Sequence, residues 1–238
     1  SACKHGAKIL EKTKAIGYQT NKENIEVLAE DPSGKKTIKA RLLIGADGSN
    51  SIIARQARGK PPSCSDRIIA IRGYFKDIEG PADQADLYFN KESFPGYCWL
   101  FPTSKSQANV GIGVALDTIP SGNRLKELFY RLIDENPALH SRLRNAKLVG
   151  QIGGWPLSTY NPDQLMVDDR VLLVGDAAGL INPLNGEGIQ YALLSSRWAS
   201  EGADASLKTN NLYKQALTHY TFLIEKELSY GMSIATMI

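Results

Sequence analysis

Arg170 to Ala192 reads RVLLVGDAAGLINPLNGEGIQYA, and the order of residue types in it decides the fold. The apolar run Val171-Leu172-Leu173-Val174 has the pattern of a buried strand. Gly175-Asp176 ends that strand and small residues make a turn. After Pro183, the run Asn185-Gly186-Glu187-Gly188 is predicted to open a helix reaching about Arg197. A strand ending in Gly-Asp can hold a carboxylate beside a sugar-like hydroxyl. A glycine-rich helix start can hold unpaired backbone N–H groups beside an electron-rich ligand edge. Gly175-Asp176 alone would suit any α/β protein; the whole ordered segment is more specific.

A second segment has the same design. Ala40 to Arg55 reads ARLLIGADGSNSIIAR: a strand runs into Asp47-Gly48, and Ser51 and Arg55 follow on a turn and a helix. Gly48 allows a positive φ or a close backbone approach, and Asp47 is read as free to accept hydrogen bonds. Asp-Gly by itself is a common turn. Its pairing with the later Gly-Asp is what makes it informative.

Composition narrows the classes. The 238 residues suit one large domain or two small ones, and 42% hydrophobic residues can bury a sizeable core. A formal charge of +3 is too balanced to argue for nucleic acid. Cys3, Cys64 and Cys98 are scattered, with no CxxC spacing, so no zinc site or disulfide framework is indicated and a reducing compartment is expected. No apolar run approaches the ~18 residues a membrane span requires. His5, His140 and His219 share no ligand spacing, so no metal site is expected. There is no GxSxG to make a nucleophile elbow.

Along the chain, short strands are expected between Lys8 and Glu30, around turn residues Asn21 to Asn24. Asp31-Pro32-Ser33-Gly34 is a turn, and one strand is expected from Thr37 to Ile44. Ser51 to Arg58 is a short helix, and Lys60 to Ser65, with Pro61-Pro62, is a linker. Arg67–Phe75, Ala85–Phe89, Tyr97–Phe101 and Asn109–Leu116 read as an antiparallel sheet. Asn123 to Glu135 is an amphipathic helix, Lys147 to Trp155 a strand, and Leu212 to Tyr230 a final helix. Asp168-Asp169-Arg170 reads as a solvated turn, and Glu187 as a first-turn carboxylate rather than a catalytic group.

A third segment, Pro95 to Val114, reads PGYCWLFPTSKSQANVGIGV. It fits Tyr-x-Trp-x-Phe-Pro, eight residues, then Gly-x-Gly. On a strand, Tyr97, Trp99 and Phe101 share one face and make a broad apolar wall, while Cys98 takes the other face as a packing thiol. On spacing alone the three aromatics also read as ordinary sheet core.

These three segments together carry a resemblance. The Asp47 and Gly175 segments are similar to the second and third FAD motifs of the hydroxybenzoate-hydroxylase-like flavoproteins. The Tyr97 to Gly113 segment resembles the substrate-cavity signature of the geranylgeranyl reductase family. The resemblance implies an α/β (α+β) fold: part of an FAD-binding Rossmann-like domain, residues 1–66 and 147–205, plus an antiparallel-sheet substrate domain, residues 67–146, and a C-terminal helical segment, residues 206–238. It implies FAD contacts at Asp47, Gly48, Gly175, Asp176, Pro183, Gly186 and Gly188, and substrate contacts at Tyr97, Trp99, Phe101 and Pro102. It also implies NAD(P)H as electron donor and reduction of C=C bonds in a lipophilic prenyl substrate, in a cytoplasmic protein compatible with peripheral contact at a membrane. No catalytic proton donor is assigned, and the oligomeric state is left open. A flavin monooxygenase of the same fold and a non-catalytic lipid-binding module are the competing readings.

One departure accompanies the match. The family opens with a strand and a GxGxxG turn that holds the FAD pyrophosphate, and none of the 21 glycines falls in that spacing. The chain is therefore read as a fragment lacking that unit, with weak or no FAD binding and no activity expected of it alone.

Overall fold

In the computed structural model, residues 2–118 and 122–237 are described. In chain order the strands and helices are β1 (Lys14–Thr20), β2 (Ile25–Asp31), β3 (Gly34–Ala40), β4 (Leu43–Gly45), α1 (Ile52–Arg58), β5 (Arg67–Lys76), β6 (Asp86–Tyr88), β7 (Tyr97–Ser104), β8 (Gln107–Ala115), α2 (Gly122–Glu135), α3 (Pro137–Leu143), β9 (Lys147–Ser158), β10 (Val167–Asp168), β11 (Val171–Leu173), α4 (Gly175–Ala178), α5 (Ile189–Thr209) and α6 (Lys214–Met237). Contacts divide the chain into two compact units. One holds the chain up to Pro61, Asp163–Ala178 and Ile189–Leu228; the other holds Pro62–Pro162, Gly179–Gly188 and the chain from Ser229.

In the first unit, β1, β2 and β3 form an antiparallel meander. Its first turn is closed by Asn21 Oδ1, which accepts the amides of Glu23 and Asn24 at 3.0 and 2.8 Å. Its second is closed by Asp31 Oδ1, which accepts the Ser33 amide at 2.8 Å. A second sheet runs β10-β11-β4, with β11 parallel to β4. The expected single strand from Thr37 to Ile44 is broken here. Ala40 ends the meander and Leu43 begins the parallel sheet, its amide donating to Arg170 O at 2.8 Å. Between them the Arg41 guanidinium donates to Leu207 O and Asn210 Oδ1, both at 2.9 Å, so the chain changes sheets at a residue held by polar contacts.

Val171, Leu172 and Leu173 are fully buried, as a strand covered on both faces requires. Tyr220 of α6 packs there, its hydroxyl donating to Leu173 O at 2.6 Å, and burial raises its phenol pKa. The small-residue turn after β11 is the one-turn helix α4. The helix expected to start near Asn185 starts at Ile189 and runs twelve residues past Arg197, to Thr209.

The second unit is a five-stranded antiparallel sheet in the order β6-β7-β8-β5-β9. Period-two alternation sends Cys98, Leu100, Val110, Ile112, Ile71 and Phe75 to one face, where they pack with Leu125, Leu128 and Phe129 of α2. Phe75 and Phe129 meet edge-on at 6.4 Å. Cys98 is fully buried in this core, and burial pushes its thiol up to about 12. α3, not anticipated from the sequence, is started by Asn136, whose Oδ1 accepts the amides of Ala138 and Leu139 at 3.1 and 3.0 Å, with Pro137 in the first turn. Arg142 of α3 is 7% exposed; it lies 3.1 Å from Asp86 of β6 and donates to Pro81 O at 2.7 Å.

The unit boundary at Pro61-Pro62 falls in the expected linker. The strand beginning at Lys147, assigned with the FAD-binding portion, pairs instead with β5 along its length. The expected separate C-terminal segment from residue 206 is divided, with α6 up to Leu228 in the first unit.

Ser51 caps α1 by accepting the Ala54 amide at 2.8 Å while donating to Asp47 Oδ1 at 2.5 Å. Ser51→Ala is expected to remove about 1 kcal/mol of stability, seen as a lower urea midpoint at unchanged slope. An unchanged midpoint would mean that Asp47 alone holds the helix start.

Candidate functional site

The sequence-selected residues fall into two places, one in each unit. In the first, β4 and β11 lie parallel, with Ile44 opposite Leu172. Asp47 and Asp176 therefore follow the carboxyl ends of neighbouring parallel strands, where open α/β sheets take their ligands. The two carboxylates differ. Asp47 accepts the Ser51 hydroxyl at 2.5 Å and the amides of Ile52 and Ile53 at 2.8 and 3.4 Å. It holds the start of α1 and is less free than the sequence reading expected. Asp176 accepts one hydrogen bond, from Ser49 to its Oδ2 at 3.0 Å, and its Oδ1 has no partner among the described residues. Ser49, which joins the Asp47 turn to Asp176, was not singled out from the sequence. Gly48 has φ 77°. Gly175 turns inward: its amide donates to Ser195 Oγ at 3.0 Å, and a Cβ there would stand 3.0 Å from Ala192 Cβ. It therefore sets how closely α5 approaches the turn.

In the second unit a cavity of about 440 Å³ opens on the sheet face opposite the α2-covered core. That volume lies within the ~300–1,000 Å³ common for small-molecule sites. Its wall follows from strand register. Tyr97 pairs with Gly113 and Trp99 with Gly111; Gly113 pairs in turn with Ala70, and Gly111 with Arg72. The Gly-x-Gly of the sequence pattern is thus the cross-strand partner of its Tyr-x-Trp. A Cβ on Gly111 would stand 2.3 Å from Trp99 Cζ2 and 2.5 Å from Ile71 O, so glycine is needed for the indole to lie across β8. Trp99 Nε1 donates to Asn109 Oδ1 at 2.9 Å, which fixes the ring. The ring centroids of Tyr97 and Trp99, and of Trp99 and Phe101, are 6.1 Å apart.

The opposite wall is the segment 179–188. Ile181 bridges to Thr159, the Gly186 amide donates to Asn182 O at 2.9 Å, and Asn182 Oδ1 accepts the amides of Leu184 and Asn185 at 2.9 and 3.3 Å. Tyr97 Oη donates to Asn185 O at 2.5 Å, joining the loop to the sheet, and burial raises that phenol's pKa. Pro183, Leu184, Asn185 and Gly186 line the cavity with Tyr97, Trp99 and Phe101. Gly186 has φ 70°, and a Cβ there would have only Leu157 Cδ1 for a neighbour, at 4.0 Å.

Two expected contacts lie apart from this wall. Pro102 pairs with Ala108, a buried core residue, and does not line the cavity, because strand alternation takes it off the face of Phe101. Gly188 does not line it either. The amides of Gly186 and Glu187, expected to be unpaired, are consumed within the loop, by Asn182 O and by Asn185 Oδ1 at 2.9 Å. Asn109 and Leu157 belong to the cavity but carry no signal of their own as strand positions, and Asn185, read from the sequence only as part of a helix start, lines it as well. Among the described residues no cluster could hold a metal ion, and no helix is long and apolar enough to cross a membrane.

The same fold occurs in flavin-dependent enzymes of known structure. Solved structures similar to it include a flavin-dependent brominase (TM-score 0.75, 18% identity, covering 94% of this chain and 58% of that one) and a halogenase in complex with FAD (TM-score 0.76, 16% identity, covering 99% and 50%). Residues 66–155 match the geranylgeranyl reductase catalytic domain. A geranylgeranyl bacteriochlorophyll reductase-like protein from Thermoplasma acidophilum superposes with TM-score 0.88 at 25% identity, over all of this chain and 61% of that one. The digeranylgeranylglycerophospholipid reductase of Methanocaldococcus jannaschii is 34% identical over 237 residues, 98% of this chain and 59% of the relative. That of Thermoplasma acidophilum is 31% identical over 230 residues, 94% and 56%. The chain is similar to these reductases over nearly all of its own length, and it spans between half and two thirds of theirs.

The packing account separates two neighbouring glycines. Gly111→Ala is expected to destabilise by about 1–3 kcal/mol and to shift Trp99 emission. Gly113→Ala, whose Cβ would meet nothing nearer than 3.7 Å, should stay within about 0.5 kcal/mol of the parent. Equal thermal-unfolding losses at both positions would contradict the account.

Proposed function

We propose that this chain carries the substrate cavity and part of the cofactor site of an FAD-dependent oxidoreductase that reduces C=C bonds of a geranylgeranyl or other prenyl substrate with reducing equivalents from NAD(P)H. The observation that carries the reading is the cavity itself: three aromatic rings on one strand face a loop whose backbone is tied to itself and to Tyr97. A prenyl chain has long apolar surface and almost no polar handle. Its burial against Tyr97, Trp99 and Phe101 would contribute ~25 cal/mol per Å².

The residues present fit a flavin. A planar ring needs backbone surface without branched side chains, and Gly186 offers it on the cavity wall. Taken by itself, the first unit offers Asp176 Oδ1 as an acceptor with a spare lone pair for a ligand hydroxyl such as those of a ribityl chain. Asp47, Gly48 and Gly175 would shape the approach there; in the second unit Pro183 and Gly186 would shape the cavity wall, and Gly188 would act only from beyond it. When bound, the flavin supplies hydride taken from NAD(P)H. An isolated alkene offers no carbonyl to polarise, so its reduction would place positive charge on carbon. The face of Trp99, held by Asn109, would stabilise that charge, and the apolar wall would exclude water. The curated relatives are named for a glycerophospholipid substrate, and Phe89 and Phe94 are 64% and 61% exposed on either side of Lys91. Both support peripheral contact with a lipid surface.

Trp99→Ala is expected to weaken binding of a geranylgeranyl ligand by about 2 kcal/mol, roughly thirtyfold, and Trp99→Phe by much less. Equal affinities in all three proteins would remove the aromatic wall from the binding account. Because no GxGxxG lies within these residues, gel filtration of the chain with excess FAD is expected to retain less than one FAD per chain. Stoichiometric retention would show that these residues alone cradle the whole dinucleotide, and substrate hydroxylation with oxygen would favour the monooxygenase reading.

A further inference from the structure

The cavity wall carries a charged group that a hydrocarbon does not use. Arg72 projects from β5 in the row Trp99, Gly111, Arg72, Gly153 across four strands, and it lines the cavity. Its guanidinium sits 4.9 Å over the Tyr74 ring. Among the described residues Arg72 makes no ion pair. Asn109, two positions before Gly111, lines the same wall. Its orientation is settled by chemistry: an indole N–H only donates, so the atom 2.9 Å from Trp99 Nε1 must be the amide oxygen. The Asn109 NH2 is left as a donor, and no acceptor is assigned to it among the described residues.

An unpaired guanidinium and an unused amide donor beside an apolar wall suit a ligand with an anionic end. Arg presents a planar fork that matches phosphate oxygens, and stacking on Tyr74 holds that fork in place with less rotamer freedom to lose. We propose that Arg72, with the Asn109 amide, is the subsite for the phosphate end of a prenyl amphiphile whose tail lies against Trp99 and Tyr97. The proposal rests on the reading of the cavity as a prenyl site and adds the chemistry of the substrate's head. It makes Arg72 a determinant of specificity for phosphorylated over neutral prenyl compounds.

Calorimetric titration of the chain with geranyl phosphate, geraniol and inorganic phosphate tests it. Geranyl phosphate is expected to bind at least about tenfold more tightly than geraniol, as charge-assisted hydrogen bonds allow. Arg72→Gln is expected to erase that advantage and leave geraniol affinity unchanged, and Arg72→Lys to recover part of it. Inorganic phosphate is expected not to compete. Equal binding of the two prenyl ligands, or an advantage that survives in Arg72→Gln, overturns the subsite and leaves the prenyl cavity standing. Failure of both prenyl ligands overturns the cavity reading and the subsite with it. Competition by inorganic phosphate as strong as that by geranyl phosphate shows a free-phosphate site and overturns the amphiphile.

Discussion

The pairing of β7 with β8 sets the geometry on which the second unit depends. With Tyr97 opposite Gly113 and Trp99 opposite Gly111, the largest side chains of one strand face the residues without side chains on the next. An indole can then lie across its neighbour strand instead of standing away from it. A shift of one residue would send every side chain of β7 to the other face. It would place Cys98 and Leu100 on the cavity wall and Trp99 in the α2-covered core. The core residues Val110 and Ile112, fully buried on the alternate positions, resist that shift. One register therefore specifies both the packed face and the open one.

This is also why the cavity could be read in the sequence. The pattern Tyr-x-Trp-x-Phe-Pro and Gly-x-Gly is the linear trace of a hairpin register, and a period of two is the simplest signal a chain carries. The strands of the five-stranded sheet appear near their expected positions for the same reason. What escaped was set by tertiary contact. Thr37 to Ile44 is one uninterrupted β-prone run, yet it serves two sheets, because Arg41 and the Leu43 amide find partners at positions 207, 210 and 170. Lys147 to Ser158 lacks a strong motif, and its partner, β5, lies far away in sequence. Arg72 gave no local signal at all; its place on the wall follows only from two pairings.

The two aspartates show how far a motif can specify a role. Asp-Gly and Gly-Asp look alike as turns at strand ends. In the fold, Asp47 is occupied with a hydroxyl and two amides at the start of α1, whereas among the described residues Asp176 keeps one oxygen uncommitted. A carboxylate already accepting several hydrogen bonds gains little from another donor and would have to release one to take it. If a ligand binds at this sheet end, Asp47 would shape the turn through Gly48 and Ser49, and Asp176 would be the carboxylate able to accept a ligand hydroxyl.

The loop opposite the aromatic wall follows the same logic of satisfied backbone. Glycine and proline in such number would leave an open loop with many conformations to lose on binding. Here Asn182 takes two amides on its side chain and a third on its carbonyl, so the turn is closed before any ligand arrives. Tyr97 then anchors it to the sheet through Asn185 O. A wall organised in this way orders little on binding, so more of the burial energy of an apolar tail remains available for affinity. A flexible apolar ligand would gain from such a wall, since a mobile loop and a mobile chain would otherwise both have to be ordered at once.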